Sequence, residues 1–254
     1  MYCIAGKNQC SVSALSYLLN RDDIDDDLLV VCINEDDFGQ DGWQPSLKQF
    51  ATINNIKILE LNELYDCENL FFFSLEFDKI IKTELFKSDN LFNFHFSLLP
   101  KYRGCHTNYL QIKNGEVQSG VTLHCIDSGI DTGDIIVKKN FNISRNDTAK
   151  DNYITLMNTA INLFKESFDN IISKNFIKSP QLEEDATYFS RSFVDYKNEK
   201  INFNQDKINI HNEIRALIFP PFQCPNVGGD IIIKSIFNED KIILINDKND
   251  EKEY

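Results

Sequence analysis

The chain has 254 residues, enough for one large domain, or for a domain with an appendage, and for a sizeable buried core. Its 26 lysines and arginines are outnumbered by 39 acidic residues, and the net charge of −13 excludes a general affinity for nucleic acid. Its apolar runs are too short to cross a bilayer and its first residues lack the pattern of a signal peptide, so we expect a cytoplasmic protein with no membrane partner.

The first half of the chain alternates apolar runs with helix-like segments. The apolar runs predict buried strands at Met1–Gly6, Leu28–Asn34, Ile56–Leu61, Leu70–Ser74 and Leu91–Phe96. The spacing between them predicts helices at Ser11–Asn20 and Pro45–Asn55, where Pro45 suits a first helical turn. This alternation predicts an α/β fold with a mostly parallel sheet and helices on both faces, in which ligands bind beyond the carboxyl ends of the strands.

The second half adds strands, a long helix and a small C-terminal region. The next predicted elements are strands at Ser119–Asp127 and Ile135–Asn140, a helix at Thr148–Ile172 and a polar linker at Ser179–Asp185. They are followed by a short segment at Ile201–Phe203, a helix at Ile208–Leu217, a β-hairpin of Asp230–Phe237 and Lys241–Ile245, and a charged, frayed tail at Asn246–Tyr254. We therefore divide the chain into a main domain, residues 1–178, and a C-terminal region, residues 179–254.

Two stretches of the chain carry the groups that can do chemistry. Side chains alternate between the faces of a strand, so in the apolar run Leu91–Phe96 and just beyond it Asn93, His95 and Ser97 point the same way. An amide and an imidazole side by side at the end of a strand can polarise a carbonyl group and move a proton. A carboxylate from the second stretch, Asp131, can complete this set.

The same stretches contain a longer composite motif. Asn93-x-His95 is followed by Ser97-Leu98-Leu99-Pro100, by the aromatic-Arg-Gly turn Tyr102-Arg103-Gly104, and by Asp-Ser-Gly-Ile-Asp-Thr-Gly-Asp at 127–134. With these elements in this order and at this separation, the chain resembles the folate-dependent formyltransferase family. The core of the match covers residues 90–136, and weaker similarity runs through most of the chain. The resemblance implies a Rossmann-like formyltransferase fold, with the catalytic domain in residues 1–178.

The resemblance also implies a catalytic trio and a reaction. Asn93, His95 and Asp131 occupy the catalytic positions of the family, whereas Asp127 and Asp134 are expected to stabilise turns. The implied reaction is amine formylation, in which a neutral amine attacks the formyl carbon of the co-substrate 10-formyltetrahydrofolate. Asn93 can donate a hydrogen bond to the formyl oxygen as it gains charge, and either His95 or Asp131 can act as the base.

The binding site of the folate is also implied by the resemblance. It places the pterin ring against the largely apolar segment 71–81, mainly through backbone groups, so Phe77, Lys79 and Ile81 are candidate cofactor-binding residues. Arg103 lies close to the catalytic strand and can meet a folate carboxylate or a phosphate. The alternative for Arg103 is an ordinary solvated loop charge.

Three branches of the family differ in the amine that they formylate. The methionyl-tRNA enzymes are longer, carry a C-terminal barrel and bind RNA, and the purine enzymes carry a Gly/Ser-rich phosphate loop that is missing after the first strand here. The third branch formylates amino sugars attached to a nucleotide, and the chain resembles it at Gly6-Lys7-Asn8, Trp43-Gln44-Pro45-Ser46 and residues 208–225. By this resemblance the acceptor is a dTDP-linked 3- or 4-amino-dideoxyhexose used in surface polysaccharide such as O-antigen.

The segment 208–225 also has a direct physical interpretation. A nucleotide base needs an aromatic face and a diphosphate needs a cation. Phe222, which follows two prolines, is a candidate to stack on thymine, and Arg215 is a candidate to bind the diphosphate, with a packed helix and a structural arginine as the alternative. The other candidate substrate-binding residues are Lys7, Asn8, Trp43 and Tyr102.

The cysteines and histidines do not predict a metal site. The pairs Cys105-His106 and His124-Cys125 lack zinc-binding spacing, so we expect no metal. The seven cysteines are scattered without a Cys-x-x-Cys pair, which is typical of reduced, buried thiols.

We predict a homodimer, because the sugar formyltransferases that the chain resembles are dimers with C-terminal elements at their interface. An isolated hairpin is marginal in water, so the predicted hairpin needs a surface, either its own domain or a partner chain. Two other functions stay open: formylation of another amine such as methionyl-tRNA, and binding of a folate or nucleotide sugar without catalysis. The presence of Asn93, His95 and Asp131 together speaks against the second.

Overall fold

The structure is a computed structural model that describes all 254 residues, and it contains thirteen strands and six α-helices. The strands are β1 (Tyr2–Gly6), β2 (Leu29–Ile33), β3 (Lys57–Ile58), β4 (Phe71–Leu75), β5 (Leu91–His95), β6 (Arg103–Gly104), β7 (Gln118–Cys125), β8 (Ile135–Asn142), β9 (Tyr188–Phe189), β10 (Asn226–Val227), β11 (Asp230–Asn238), β12 (Lys241–Asn246) and β13 (Glu251–Glu253). The helices are α1 (Asn8–Leu19), α2 (Leu47–Ile53), α3 (Leu61–Leu64), α4 (Thr107–Lys113), α5 (Ala149–Ile172) and α6 (Lys207–Ala216).

Seven strands form a central sheet in the order β3-β2-β1-β4-β5-β7-β8. The first five strands of that order are parallel, while β7 is antiparallel to β5 and β8 is antiparallel to β7. The predicted α/β fold with a mostly parallel sheet is therefore confirmed. Strands β2 and β3 lie on one side of β1, whereas β4 and β5 lie on the other side. Such a switch point in strand order between β1 and β4 opens a crevice for ligands at the carboxyl ends of the strands.

The central strands are buried on both faces, which explains why they are continuous apolar runs. In β1, Ile4 packs into the larger core cluster, whereas Cys3 and Ala5 face the smaller one. Helices α1, α2 and α5 cover the first face, and the short α3 with its neighbouring loops covers the second. Helices therefore lie on both faces as predicted, but most of the helical mass is on one side.

Helix α5 is the longest element, and its start is fixed by its own sequence. The Thr148 side chain accepts a hydrogen bond from the backbone N–H of Asp151, and the Asp151 carboxylate accepts one from the backbone N–H of Thr148, which satisfies two free N–H groups at the start of the helix. Its apolar stripe, including Leu156 and Phe164, is fully buried against the sheet. No helix of the chain combines the length and the apolar composition that crossing a membrane requires.

The C-terminal strands form a separate four-stranded antiparallel sheet, in the order β10-β11-β12-β13. One of its faces is apolar, and Phe237 and Leu244 pack there against Ile210 and Ile214 of α6. Helix α6 also contacts α4 of the main domain, where Ala216 and Leu217 share a cluster with residues of α4. The predicted hairpin exists as β11 and β12, and it lies on a surface of its own chain.

The prediction of a frayed tail at Asn246–Tyr254 is wrong. Residues Glu251–Glu253 form β13, which pairs with β12 and brings Lys252 opposite Leu244. The side chains of β13 stay exposed and charged, so backbone pairing with β12 and the ion pair of Glu253 with Lys241 hold this strand. The sequence shows no apolar alternation here.

Several shorter elements also differ from the predictions. Strand β3 has two residues because the chain turns at Glu60 into α3, where Glu60 and Glu63 form a capping box. Helix α2 begins after Ser46, whose side chain caps it, and not at Pro45. Elements α4, β6 and β9 were not predicted, because segments of two to seven residues show no clear period.

The segment after residue 178 is joined to the main domain by backbone pairing. Ser179 in the predicted linker pairs with Ile135, and β9 pairs with β6 in a small parallel sheet. Residues 201–203, where a short segment was predicted, have no regular structure. The division of the chain at residue 178 stays a prediction.

Candidate active site

The crevice at the switch point is built by a close approach of β1 and β4. A Cβ atom on Gly6 would lie 1.8 Å from the carbonyl oxygen of Leu75, so only glycine fits where the two strands end. The Ser11 hydroxyl donates a hydrogen bond of 2.8 Å to the same carbonyl. Asn8 follows β1 and Glu76 follows β4, and both residues have left-handed backbones with φ of +62°. The carboxyl ends of β1 and β4 thus form one side of the site.

Beside them, β5, β7 and the loop after β7 bring four polar side chains together. The Asn93 Nδ2 atom lies 3.1 Å from Asp131 Oδ1 and 3.1 Å from His124 Nε2. His95 Nδ1 lies 3.4 Å from Asp131 Oδ2, to which the Gly104 backbone amide donates a hydrogen bond of 2.8 Å. The structure therefore gathers the three predicted catalytic residues around one carboxylate, together with His124.

Asp131 is held as a buried anion. Burial raises the pKa of its carboxyl, but His95, His124 and the Gly104 amide outweigh burial, and the net pKa lies well below the usual range. Its own backbone is left-handed, with φ of +54°, which few residues other than glycine adopt without support. Asp131 therefore stays ionised at neutral pH and carries a fixed negative charge in the site.

The hydrogen bonds decide which ring nitrogens carry protons. His95 Nε2 lies 2.7 Å from the carbonyl oxygen of Tyr102, which can only accept, so Nε2 donates and Nδ1 of the neutral ring has a free lone pair. His124 Nδ1 likewise donates to the carbonyl oxygen of Cys125, so its Nε2 accepts from Asn93. Both Nδ2 protons of Asn93 are thus directed at protein acceptors.

The four side chains open into a cavity of about 500 Å³, which we call the catalytic cavity. The predicted cofactor residues Phe77, Lys79 and Ile81 line it, and Lys79 Nζ lies 3.4 Å from a carboxylate oxygen of Glu60. Arg103 does not line it. Its guanidinium is buried and binds the side chains of Gln181 and Glu183. The structure therefore gives Arg103 a structural ion pair where a ligand contact was expected.

A second cavity of about 570 Å³, which we call the aromatic cavity, lies on the other side of Glu76. Trp43 meets Phe219 and Phe222 edge to face, with ring centroids 5.6 and 5.5 Å apart, and Phe222 is 66% exposed. Lys7 lines the cavity and pairs with Asp36 at its rim. Further predicted substrate residues that line this cavity are Asn8, Trp43 and Phe222.

Two predicted substrate residues lie outside both cavities. Arg215 is 3% exposed, and its guanidinium donates to Asn212 and to the carbonyl oxygens of Ser144 and Asp147, so it is the structural arginine kept above as the alternative. Tyr102 is also buried, stacks on a phenylalanine and donates its hydroxyl proton to Glu116. A cation that was not predicted, Lys150, has its Nζ 5.7 Å from the Trp43 ring.

Two other residues at the site were missed, His124 and Glu76. His124 stands opposite Asn93 in the pairing of β5 with β7, but sequence alone does not reveal which strands pair. Glu76 is an acidic residue within a mostly apolar segment, which was a usable signal. No cluster of three or more His, Cys, Asp or Glu side chains has a metal-binding arrangement.

Comparison with known proteins adds a family and solved relatives. The family model described as formyl transferase matches residues 71–166. The chain is 44% identical to the solved structure of WlaRD, a sugar 3N-formyl transferase in the presence of dTDP and 5-N-formyl-THF, with a TM-score of 0.91 over 98% of this chain and 95% of that one. It is 42% identical to an N-formyltransferase from Helicobacter canadensis in complex with folinic acid and dTDP-3-aminofucose, with a TM-score of 0.91 over 100% and 99%.

Curated relatives are more distant. The methionyl-tRNA formyltransferase of Borreliella burgdorferi strain ZS7 is 32% identical over 232 residues, which cover 84% of this chain and 73% of the relative. Two other matches cover smaller shares of the relatives. The chain spans 25% of the bifunctional polymyxin resistance protein ArnA of Wigglesworthia glossinidia brevipalpis, and 58% of the methionyl-tRNA formyltransferase of Clostridium tetani.

Proposed function

Since the chain belongs to the formyl transferase family, we propose that it transfers a formyl group from 10-formyltetrahydrofolate to the amino group of a dTDP-linked amino sugar. The observation that carries this proposal is the cluster of Asn93, His95 and Asp131 at the floor of one cavity, directly beside a second, aromatic cavity. A formyl donor and a nucleotide-linked acceptor need two such adjoining spaces.

The acceptor is a 3-amino-dideoxyhexose in this proposal. The two solved structures at 42% and 44% identity are described by their 3-amino substrate or 3N activity. The structure of a 4-N formyltransferase from Francisella tularensis is 19% identical, a level at which only the fold is comparable. The product would serve surface polysaccharide such as O-antigen.

His95 acts as the base in this mechanism. Its Nδ1 lone pair lies 3.4 Å from an oxygen of the ionised Asp131, so two acceptors face each other. Once Nδ1 gains a proton, the pair forms a charge-assisted hydrogen bond. As the amine attacks the formyl carbon, Nδ1 takes its proton, and Asp131 stabilises the imidazolium that forms. The proton is then available for the departing nitrogen of tetrahydrofolate.

Asn93 stabilises the negative charge that develops on the formyl oxygen. Its two Nδ2 protons point at Asp131 and His124, so it must release one of these partners to donate to the oxygen. Protonation of His95 draws Asp131 towards the imidazolium, and this movement would free the Asn93 proton at the moment when the oxygen gains charge. Proton transfer to His95 and stabilisation of the oxyanion by Asn93 are thus coupled in this mechanism.

The aromatic cavity holds the nucleotide. Phe222 and Trp43 offer exposed ring surface to thymine, and Lys7 offers a cation to the diphosphate, with Lys150 close to the Trp43 ring as a second cation. The pterin lies in the catalytic cavity against Phe77 and its neighbours. This placement puts the reacting amine and the formyl group at the junction of the two cavities.

We further propose a homodimer in the cytoplasm, without a nucleic-acid partner. All seven cysteines are free thiols in the structure, which suits a reducing compartment. The net charge of −13 opposes binding to a phosphate backbone.

A turnover assay with 10-formyltetrahydrofolate tests the function and names the acceptor. The panel contains dTDP-3-amino and dTDP-4-amino sugars, a UDP-linked amino sugar and charged initiator tRNA. We expect the fastest formylation with a dTDP-3-amino sugar, detected as the mass gain of one formyl group. Comparable or faster formylation of methionyl-tRNA, which the curated relatives make the second candidate, would overturn the acceptor assignment.

A further inference from the structure

Glu76 is the one residue that lines both cavities. It follows β4 directly, and because Ser74 pairs with Asn93 on a strand about 5 Å away, Glu76 comes beside His95, the last residue of β5. Any acceptor whose nucleotide lies in the aromatic cavity and whose amine reaches His95 must therefore pass Glu76. None of the roles described above uses this residue.

The carboxylate of Glu76 is fixed at one oxygen and free at the other. Its Oε1 atom accepts a hydrogen bond of 2.6 Å from the Tyr153 hydroxyl, which in turn accepts one of 3.0 Å from Asn8 Nδ2. Its Oε2 atom exposes less than 1 Å² and has no hydrogen-bond partner. Buried carboxylate oxygens are rarely left unpaired in native proteins, so Oε2 is an acceptor without its donor.

Asp78 also carries an unpaired carboxylate oxygen, but its position differs from that of Glu76. Asp78 Oδ1 is also buried without a partner, but Asp78 lines only the catalytic cavity, beside the pterin segment. The two oxygens of Asp131 are already occupied, by Asn93 and by the Gly104 amide. At the junction of the cavities, the free acceptor is therefore Glu76 Oε2.

We propose that Glu76 recognises the amino group of the acceptor sugar, with Oε2 accepting a hydrogen bond from the amine that His95 then deprotonates. This inference rests on the proposed function and adds a specificity-determining residue to it. An amine that arrives as an ammonium group forms an ion pair with the carboxylate, which a hydroxyl group cannot form, so Glu76 favours amino sugars over their hydroxyl counterparts.

Two features support a role in binding an amine. The left-handed backbones of Glu76 and Asn8 are held although neither residue is glycine, and such conformations concentrate at ligand sites. Burial also raises the pKa of Glu76 to about 7, against the opposing effects of Tyr153 and Lys7. An amine that arrives as a cation would compensate the cost of ionising this carboxyl group, and it becomes the neutral nucleophile by passing one proton to Glu76 before His95 takes the second during the attack.

The test compares ligand binding by the wild type and Glu76→Gln. Glutamine keeps an oxygen that can accept from Tyr153, but it replaces Oε2 with an NH₂ group that cannot accept a hydrogen bond. Dissociation constants are measured by calorimetry for dTDP, for the dTDP-amino sugar that the wild type formylates fastest, and for its hydroxyl counterpart, for instance dTDP-3-aminofucose and dTDP-fucose. We expect the amino sugar to bind roughly ten- to a hundredfold more weakly, with dTDP and the hydroxyl sugar little changed.

Glu68→Gln, which alters an exposed carboxyl group outside both cavities, is the matched control and should bind all three ligands as the wild type does. If Glu76→Gln fails to fold, Tyr153→Phe takes its place, because it removes the donor that orients the carboxylate. This variant should also lose more affinity for the amino sugar than for dTDP or the hydroxyl sugar, but by a smaller factor. Equal weakening of both sugars, or no weakening, overturns the inference. A wild type that formylates no amino sugar would instead overturn the proposed function.

Discussion

At the scale of single residues, the proposed chemistry depends on where one proton goes when the amine attacks. His95 donates through Nε2 to a backbone carbonyl, so its other nitrogen faces the substrate cavity and Asp131 with a free lone pair. A proton on that nitrogen creates a hydrogen bond between opposite charges. This geometry favours His95 over Asp131 as the base, a choice that the sequence left open.

His95→Ala and Asp131→Asn should each lower turnover by about 10²- to 10⁴-fold, the usual contribution of a positioned acid or base. Asparagine keeps the shape of Asp131 and its bond to the Gly104 amide, so the fold should survive and melting temperature serves as the control. Turnover is measured in single-substrate kinetics with saturating folate. Near-normal activity of both variants would show that the catalytic site lies elsewhere.

We expect His124 to be a positioning residue in the same cluster, because its Nε2 atom lies 3.1 Å from Asn93 Nδ2 and 3.5 Å from Asp131 Oδ1. His124→Phe should lower kcat roughly three- to tenfold by removing the acceptor that orients the amide, with little change in KM. His124→Gln restores an acceptor and should recover part of the loss. A rise in KM with unchanged kcat, or no rescue by glutamine, would assign His124 to packing alone.

The carboxyl group of Glu76 should also make the stability of the protein depend on pH. Its pKa rises from 4.5 to about 7 on folding, with Tyr153, Lys7 and Asp36 as the charged or titratable groups around it and the Cys10 thiol nearby. A carboxyl group with a raised pKa keeps its proton longer in the folded state, so the contribution of Glu76 to wild-type stability falls as pH rises from below about 4.5 to above about 7. One pKa unit is about 1.4 kcal/mol, which makes the loss on the order of 3 kcal/mol.

Glu76→Gln removes this titration. The measured quantity is the free energy of unfolding of the variant in urea minus that of the wild type. This difference should be more positive at about pH 8 than at about pH 5. A difference between the two proteins that does not change with pH contradicts the raised pKa.

Sequence motifs named three residues that the structure brings together in the candidate site, but they did not identify the residues that hold the fold. Asn93, His95 and Asp131 could be named because the resemblance of the composite motif to the family implies catalytic roles for them. Arg103 and Arg215 carry the same charge as a ligand-binding arginine, and apart from Asn212 their partners lie 68 to 80 residues away in the chain. Only the folded structure brings those partners close, so the sequence could not separate a structural arginine from a binding one.

At the scale of elements, predictions succeeded where a segment is long and strongly patterned. The buried strands and α5 have continuous or periodic apolar residues that long-range packing reinforces. Strand β13 and helix α4 were missed, since the first is held by backbone pairing with β12 and the second spans only seven residues. The pairing of β5 with β7, which brings His124 into the site, depends on contacts that no local pattern encodes.

The turn after α6 should bind the nucleotide through one aromatic ring. Phe222 is exposed at the aromatic cavity, so Phe222→Ala should weaken binding of the dTDP sugar by roughly 1–3 kcal/mol, as for a lost base–aromatic stack, and leave folate binding unchanged. Calorimetry with dTDP measures the effect. Phe203→Ala, which removes a partly exposed aromatic ring outside both cavities, should bind dTDP normally. If Phe222→Ala and the wild type bind dTDP with equal affinity, the base does not stack on Phe222 and lies against another wall of the cavity.

At the scale of the whole molecule, the C-terminal sheet offers one covered face and one open face. The covered face packs on α6, and alternate residues on the other face include Ile236, Ile243 and Ile245, which are half-buried and stand close together because Ile236 pairs with Ile243. The outer edge, β13, carries charged side chains, which discourages the addition of another strand. A second copy of the chain would therefore meet the open face and not the edge.

Ile243→Lys should convert the predicted homodimer into a folded monomer. The side chain points away from α6, so the substitution leaves the packing of the monomer intact, whereas an interface would lose an isoleucine worth about 1.5–3 kcal/mol and gain a buried charge. The dimer should weaken at least about tenfold, which light scattering at micromolar concentration detects as a fall in mass. Ile53→Lys, at an isoleucine of α2 that is 69% exposed, should remain dimeric. A monomeric wild type rules out the dimer, and an Ile243→Lys protein that stays dimeric places the interface on another surface.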